Sequence, residues 1–69
     1  MDVVFEIRPH RGGWQCFEAP GVQPYYDERD DALSYARSRT AMRRGEIRVF
    51  NSAREVEQTI RFDHKGQKF

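Results

Sequence analysis

Asp27-Glu28-Arg29-Asp30-Asp31-Ala32-Leu33-Ser34-Tyr35-Ala36-Arg37-Ser38-Arg39-Thr40-Ala41-Met42-Arg43-Arg44 is the stretch that decides the fold. It is the one segment of the 69 residues with room for a helix of several turns. Acidic residues (Asp27, Glu28, Asp30, Asp31) open it, and Arg37, Arg39, Arg43 and Arg44 close it, which suits the helix dipole at both ends. An aspartate among the first residues is expected to cap the free N–H groups. At 100° per residue Arg29, Ala32, Leu33, Ala36, Thr40 and Arg43 share one side, flanked by Tyr35, Arg39 and Met42. Arg37, Ala41 and Arg44 fall on the wet side. Gly45 is expected to end the helix at the position that favours a left-handed conformation.

Period-2 alternation stands on both sides of this helix. Val3, Phe5 and Ile7 oppose Val4, Glu6 and Arg8, so residues 3–8 read as a half-buried strand. Pro9 to Gly13 then turns the chain, and Trp14 to Glu18 completes a hairpin with Trp14 and Cys16 inward. Trp14, the largest apolar side chain, is expected in the core. Residues 19–26 read as a connection, with a turn at Pro20-Gly21 and with Pro24 excluding a strand. Beyond the helix, Glu46 to Asn51 and Glu55 to Phe62 read as a second hairpin around Asn51-Ser52-Ala53-Arg54. Residues 63–69 lack periodicity and read as a flexible C-terminal tail. The expected fold is α+β: a single ββαββ domain over residues 1–62, a four-stranded antiparallel sheet with one helix packed on one face.

The strings Arg8…Gly12-Gly13-Trp14-Gln15-Cys16, Asp31-Ala32-Leu33-Ser34-Tyr35-Ala36-Arg37 and Gly45-Glu46-Ile47-Arg48-Val49 together resemble the small bacterial domain-of-unknown-function family 2188. The resemblance covers most of residues 3–62 and implies the ββαββ arrangement in a bacterial protein. The family has no established activity, so the resemblance implies no catalytic residue. The chain departs from the family's pattern at the last turn, where relatives look as if they carry Asp-Gly and this sequence has Asn51-Ser52-Ala53-Arg54. That puts the turn type in question and not the fold.

Composition narrows the function classes. Twelve basic and eleven acidic residues give a net charge of +1, without the basic excess of a dedicated nucleic-acid binder. Cys16 is the only cysteine, so no internal disulfide forms, and with His10 and His64 alone beside it a zinc site is not expected. Met1-Asp2 leads into a strand without an apolar export signal, and no apolar run approaches the roughly 20 residues that span a bilayer. A cytoplasmic protein with no membrane association is expected, and its small size makes a homodimer a sensible partner state.

Gly12-Gly13 lacks the spacing of a phosphate loop, and Asp27–Asp31 lacks that of a calcium loop. Cys16 has no base at hand and reads as a small buried hydrophobe. No catalytic, cofactor or metal residue is assigned, and the chain is expected not to be an enzyme. Two features remain. The first is a basic patch of Arg37, Arg43 and Arg44, which reads as dipole compensation or as a phosphate contact. The second is the outer face of the sheet, where Val4, Phe17 and Phe50 are expected to meet water among Glu6, Arg8, Gln15, Arg48, Glu57, Thr59 and Arg61. Val4, Phe17, Arg48, Phe50 and Arg61 form the expected interaction face. Its mixed charge points to an unknown protein partner or self-association. The alternative is a weak nucleic-acid-binding module stacking bases on the sheet aromatics beside the arginines, which is possible but not favoured.

Overall fold

In the computed structural model, which describes residues 2–18 and 21–64, the period-2 stretches become strands and the alanine-rich stretch a helix. The elements are β1 (Val3–His10), β2 (Gly13–Phe17), β3 (Tyr25–Tyr26), α1 (Arg29–Ser38), β4 (Arg44–Phe50) and β5 (Val56–Asp63). One helix and one sheet make a small α+β fold. The sheet departs from expectation in two respects: it has five strands in the order β3-β2-β1-β4-β5, and it is mixed.

The mixed topology follows from the path of the chain. β1 and β2 form the expected antiparallel hairpin, with Ile7 opposite Cys16 and His10 opposite Gly13. Its turn needs only Arg11 and Gly12, both at positive φ (50° and 80°), the geometry that matches strand twist in two-residue hairpins. Tyr25 and Tyr26 then add a short strand beside Gln15 and Trp14, in the segment expected to be a connection. Pro24 is tolerated because the strand lies at the sheet edge, and its carbonyl accepts the Cys16 N–H at 3.0 Å. Of the expected Pro20-Gly21 turn, Pro20 lies outside the described residues; Gly21 has φ 84°. The helix carries the chain back, so β4 enters next to β1 and parallel to it, with Phe5 beside Ile47 and Ile7 beside Val49. β5 returns antiparallel along β4.

The helix is shorter than its composition suggests. It stops at Ser38 with Arg39 as the closing residue, not at Arg44. Two hydroxyls explain the early stop: Ser38 donates to the Tyr35 carbonyl (2.6 Å) and Thr40 to the Arg37 carbonyl (2.8 Å). Both compete with the backbone, and the last turn tightens through Arg39 N–H to Ala36 O. Thr40 is buried, and Met42 takes φ 60° in the turn that follows. Gly45 is therefore no helix terminator. It sits inside β4 against Val3, where a Cβ would collide with the Val3 carbonyl oxygen, so glycine is what lets β1 and β4 approach. At the other end, Glu28 is the N-cap residue and makes no side-chain cap bond, while Asp30 and Asp31 supply negative charge in the first turn.

The core is Phe5, Ile7, Cys16, Ala32, Ala36, Ile47 and Val49, all essentially inaccessible. Alanines at the contact let α1 lie close over β1, β2 and β3. Trp14 is on the helix side as expected but only half-buried, at the rim and not at the centre; the Arg29 guanidinium lies 6.0 Å from its ring. Ile60 and Phe62 of β5 extend the core beyond the helix, and the Phe62 and Phe5 rings are 6.1 Å apart.

Three further expectations change. A register shift at Val49/Phe50 puts Glu57 out of the alternation, so it leaves the outer face and lies 3.7 Å from Arg29 on the helix side. Phe50 is on the outer face but only 8% exposed, because the Arg8 guanidinium stands 3.8 Å over its ring. β5 runs to Asp63, and the His64 N–H donates to the Arg43 carbonyl at 2.8 Å, so the ordered domain extends past residue 62. The rest of the expected tail, residues 65–69, lies outside the described residues.

Candidate functional site

The outer face of the sheet carries no helix. Strand alternation places Val4, Glu6, Arg8, Gln15, Phe17, Glu46, Arg48, Phe50, Thr59 and Arg61 on it, so the five residues singled out from the sequence share one face. They are unequally accessible. Val4 is 38% exposed and Phe17 half-buried, whereas Phe50 is shut under Arg8. The cations of the face are answered on the face itself. Arg8 pairs with Glu6 at 3.1 Å, and Glu46 takes Arg48 on one oxygen and Arg61 on the other, the latter at 3.1 Å. Phosphate would have to displace these carboxylates to reach an arginine.

The basic patch expected at Arg37, Arg43 and Arg44 does not assemble. Arg44 turns to Asp2 (3.0 Å), and Arg43 turns to Glu18 (3.6 Å), which also holds Arg39 (3.0 Å). Arg37 is left without an ion pair among the described residues, beside an apolar hollow formed by Thr40, Ala41, Met42 and His64. Glu18 is the residue the sequence did not flag. Its side chain is only 8% exposed and accepts the Tyr35 hydroxyl at 2.6 Å as well as the two arginines. The Tyr35 hydrogen bond, with the arginines behind it, holds the Glu18 carboxyl below its usual range. The same bond raises Tyr35 above its usual range, and Arg39 is raised by its own hydrogen bond to Glu18. This knot ties the end of β2 to the end of α1 and is a structural clasp.

Nucleophilic chemistry finds no arrangement at Cys16. The thiol is fully buried, and burial, helped by the charge of Glu18, pushes it up to about 11, the reverse of what a thiolate nucleophile requires. His10 alternates onto the opposite face of β1. Among the described residues no three His, Cys, Asp or Glu side chains come together as a metal-binding group.

A third region emerges only in three dimensions. At the carboxyl ends of the parallel pair β1 and β4, the two hairpin tips flank a cleft of about 600 Å³. Its walls are the Arg8–Trp14 end of the first hairpin and Phe50, Asn51, Ser52 and Arg54 of the second. β1 has no β4 partner beyond Ile7, so Pro9, which lacks an N–H, borders the cleft without leaving a donor unpaired there. The second tip is braced by Asn51, whose Oδ1 accepts the N–H groups of Ala53 (2.9 Å) and Glu55 (3.1 Å). Arg54 takes the left-handed position (φ 64°) that glycine would fill in an Asp-Gly turn. The missing glycine in Asn51-Ser52-Ala53-Arg54 was the signal the sequence offered.

Comparison of the chain with protein-family models, curated proteins and solved structures found no match.

Proposed function

We propose that this chain is a non-enzymatic, cytoplasmic binding domain whose outer sheet face docks on a second copy of itself. The observation that carries the reading is the self-neutralised charge of an uncovered face: Glu6–Arg8 and Arg48–Glu46–Arg61 sit among Val4 and Phe17. Both signs are presented together, so a copy rotated by a two-fold axis meets opposite charge, while a polyanion meets carboxylates. Four strands of five to eight residues provide the platform, roughly 20 Å across at about 4.8 Å per strand. A standard interface takes about 800 Å² from each partner, near a sixth of the 4958 Å² surface of this chain. The free thiol of Cys16 fits a reducing compartment, and no helix among the described residues is long and apolar enough to cross a membrane. Membership of family 2188 is part of the same proposal, resting on the Gly12-Gly13-Trp14, alanine-rich and Gly45-Glu46-Ile47 strings.

Sedimentation velocity over a wide concentration range tests it. The mass should rise with concentration, and Val4→Glu, which adds a carboxylate beside Glu46 at an exposed position, should abolish the rise while lowering the thermal midpoint only modestly and leaving the far-UV circular dichroism of a folded chain. A monomer at every concentration, or an association indifferent to Val4→Glu, would sink the reading.

A further inference from the structure

We propose that the cleft between the two hairpin tips binds a small phosphorylated ligand with a planar ring, of the nucleoside monophosphate class. Charge is the first argument. Of the described arginines only Arg11, Arg37 and Arg54 lack an ion pair, and two of those three line this one cleft. No carboxylate lines it, and His10 is a further polar residue of its wall. Seven of the ten described arginines have a carboxylate partner, so a cleft lined by two of the remaining three selects an anion. Guanidinium forks match phosphate oxygens in pairs.

Backbone conformation is the second argument, and it is independent of charge. Arg11 and Arg54 both occupy left-handed positions, at φ 50° and 64°, where glycine or asparagine would sit with less strain. Strain of this kind concentrates where a side chain is needed at a fixed place. Both arginines stand on short, hydrogen-bonded turns: the two-residue tip of the first hairpin, and the loop held by the Asn51 carboxamide. Little ordering is left for a ligand to impose.

The walls supply the ring. Trp14 is the accessible ring of the cleft; Phe50 lies beneath the Arg8 guanidinium, 3.8 Å from its ring centre, and Arg8, its charge met by Glu6, lines the cleft in its place. Its volume of about 600 Å³ falls within the roughly 300–1,000 Å³ of small-molecule sites. The location also follows the general habit of parallel strands, whose carboxyl ends open into ligand crevices. The cleft shares Arg8 and Phe50 with the end of the outer face, but Arg11 and Arg54 lie on the hairpin tips, so variants at those two arginines test the site apart from self-association.

Trp14 is the only tryptophan of the chain and lines the cleft, so its fluorescence reports occupancy. Adenosine 5′-monophosphate titrated at low ionic strength should give a saturable change. Adenosine and inorganic phosphate, each lacking half of the recognised chemistry, should bind at least about tenfold more weakly. Arg11→Gly and Arg54→Gly should each weaken the monophosphate about tenfold or more while leaving the thermal midpoint unlowered, because glycine accepts both conformations. Arg11→Asn and Arg54→Asn, also tolerant of that region, repeat the test with a side chain in place. No saturable response to the monophosphate, equal affinity for adenosine or for phosphate alone, or unchanged binding by the Arg11→Gly/Arg54→Gly double variant would overturn the assignment.

Discussion

Truncating Phe5 to alanine tests where the core of this domain lies. Phe5 is fully buried on the central strand, beside Ile47 of β4 and 6.1 Å from the Phe62 ring. Removing a ring from such a site typically costs about 3–5 kcal/mol, as lost transfer energy plus the cavity left behind. A domain of this length has a total stability of roughly 3–10 kcal/mol, at about 0.05–0.15 kcal/mol per residue, so Phe5→Ala should leave it near the edge of unfolding. Ile47→Val, deleting one methylene at a neighbouring buried site, should cost only about 0.5–1.5 kcal/mol and gives a measurable step. Trp14→Ala removes a larger side chain, yet Trp14 is half-buried at the rim, so its cost should fall clearly below that of Phe5→Ala. Urea unfolding followed by far-UV circular dichroism reads all three without relying on tryptophan emission. If Trp14→Ala proves more damaging than Phe5→Ala, the core is centred on the wrong strand and the reasoning fails.

Two further outcomes follow from titrating groups. The buried Cys16 thiol, pushed up to about 11, should resist a thiol reagent such as Ellman's at pH 8 in the native state and react fully in denaturant; immediate native reactivity would contradict its burial. The Glu18 carboxyl is depressed in the folded state, so its contribution to stability is complete above the ordinary value of 4.5 and is lost as pH falls through the lower folded value. Glu18→Gln should therefore be destabilised at neutral pH and converge on the wild type in acid, and a gap that persists undiminished at low pH would show that the charge is not what matters.

The strands were legible wherever side chains alternate, because burial of one face imposes a period of two whatever the partner strand is. Phe5, Ile7, Ile47 and Val49 fall in the core for that reason. Alternation is silent about direction, and an antiparallel or a parallel neighbour would have buried Phe5 equally well. The central parallel pair was therefore invisible, and so was everything that depends on β1 lying next to β4. Arg8 covers Phe50 across that junction, and the cleft opens at its end. Composition overstates the helix, because Arg39 to Arg44 suits a C-terminal dipole while the hydroxyls of Ser38 and Thr40 end it first. Of the expected interaction face, Val4, Phe17, Arg48 and Arg61 could be placed from parity alone. The irregularity beside Phe50 displaced Glu57, which parity cannot anticipate.

The junction of β1 with β4 also sets the order in which the chain can fold. Val3 pairs with Gly45, a separation of 42 positions (45 − 3), whereas the first hairpin closes over two residues. Closing the longer loop carries an entropic cost of about 3 kcal/mol beyond a constant term, which must be met before any contact repays it. Until then the middle strand of the finished sheet is an edge, presenting Phe5 and Ile7 with one row of backbone groups unpaired. A chain emerging from the ribosome meets this condition from the synthesis of the first hairpin until Val49 is available. Folding should be slow for so small a domain, with its rate set by that encounter and not by the helix. A fragment ending before Arg44 would display its most aggregation-prone strand for good.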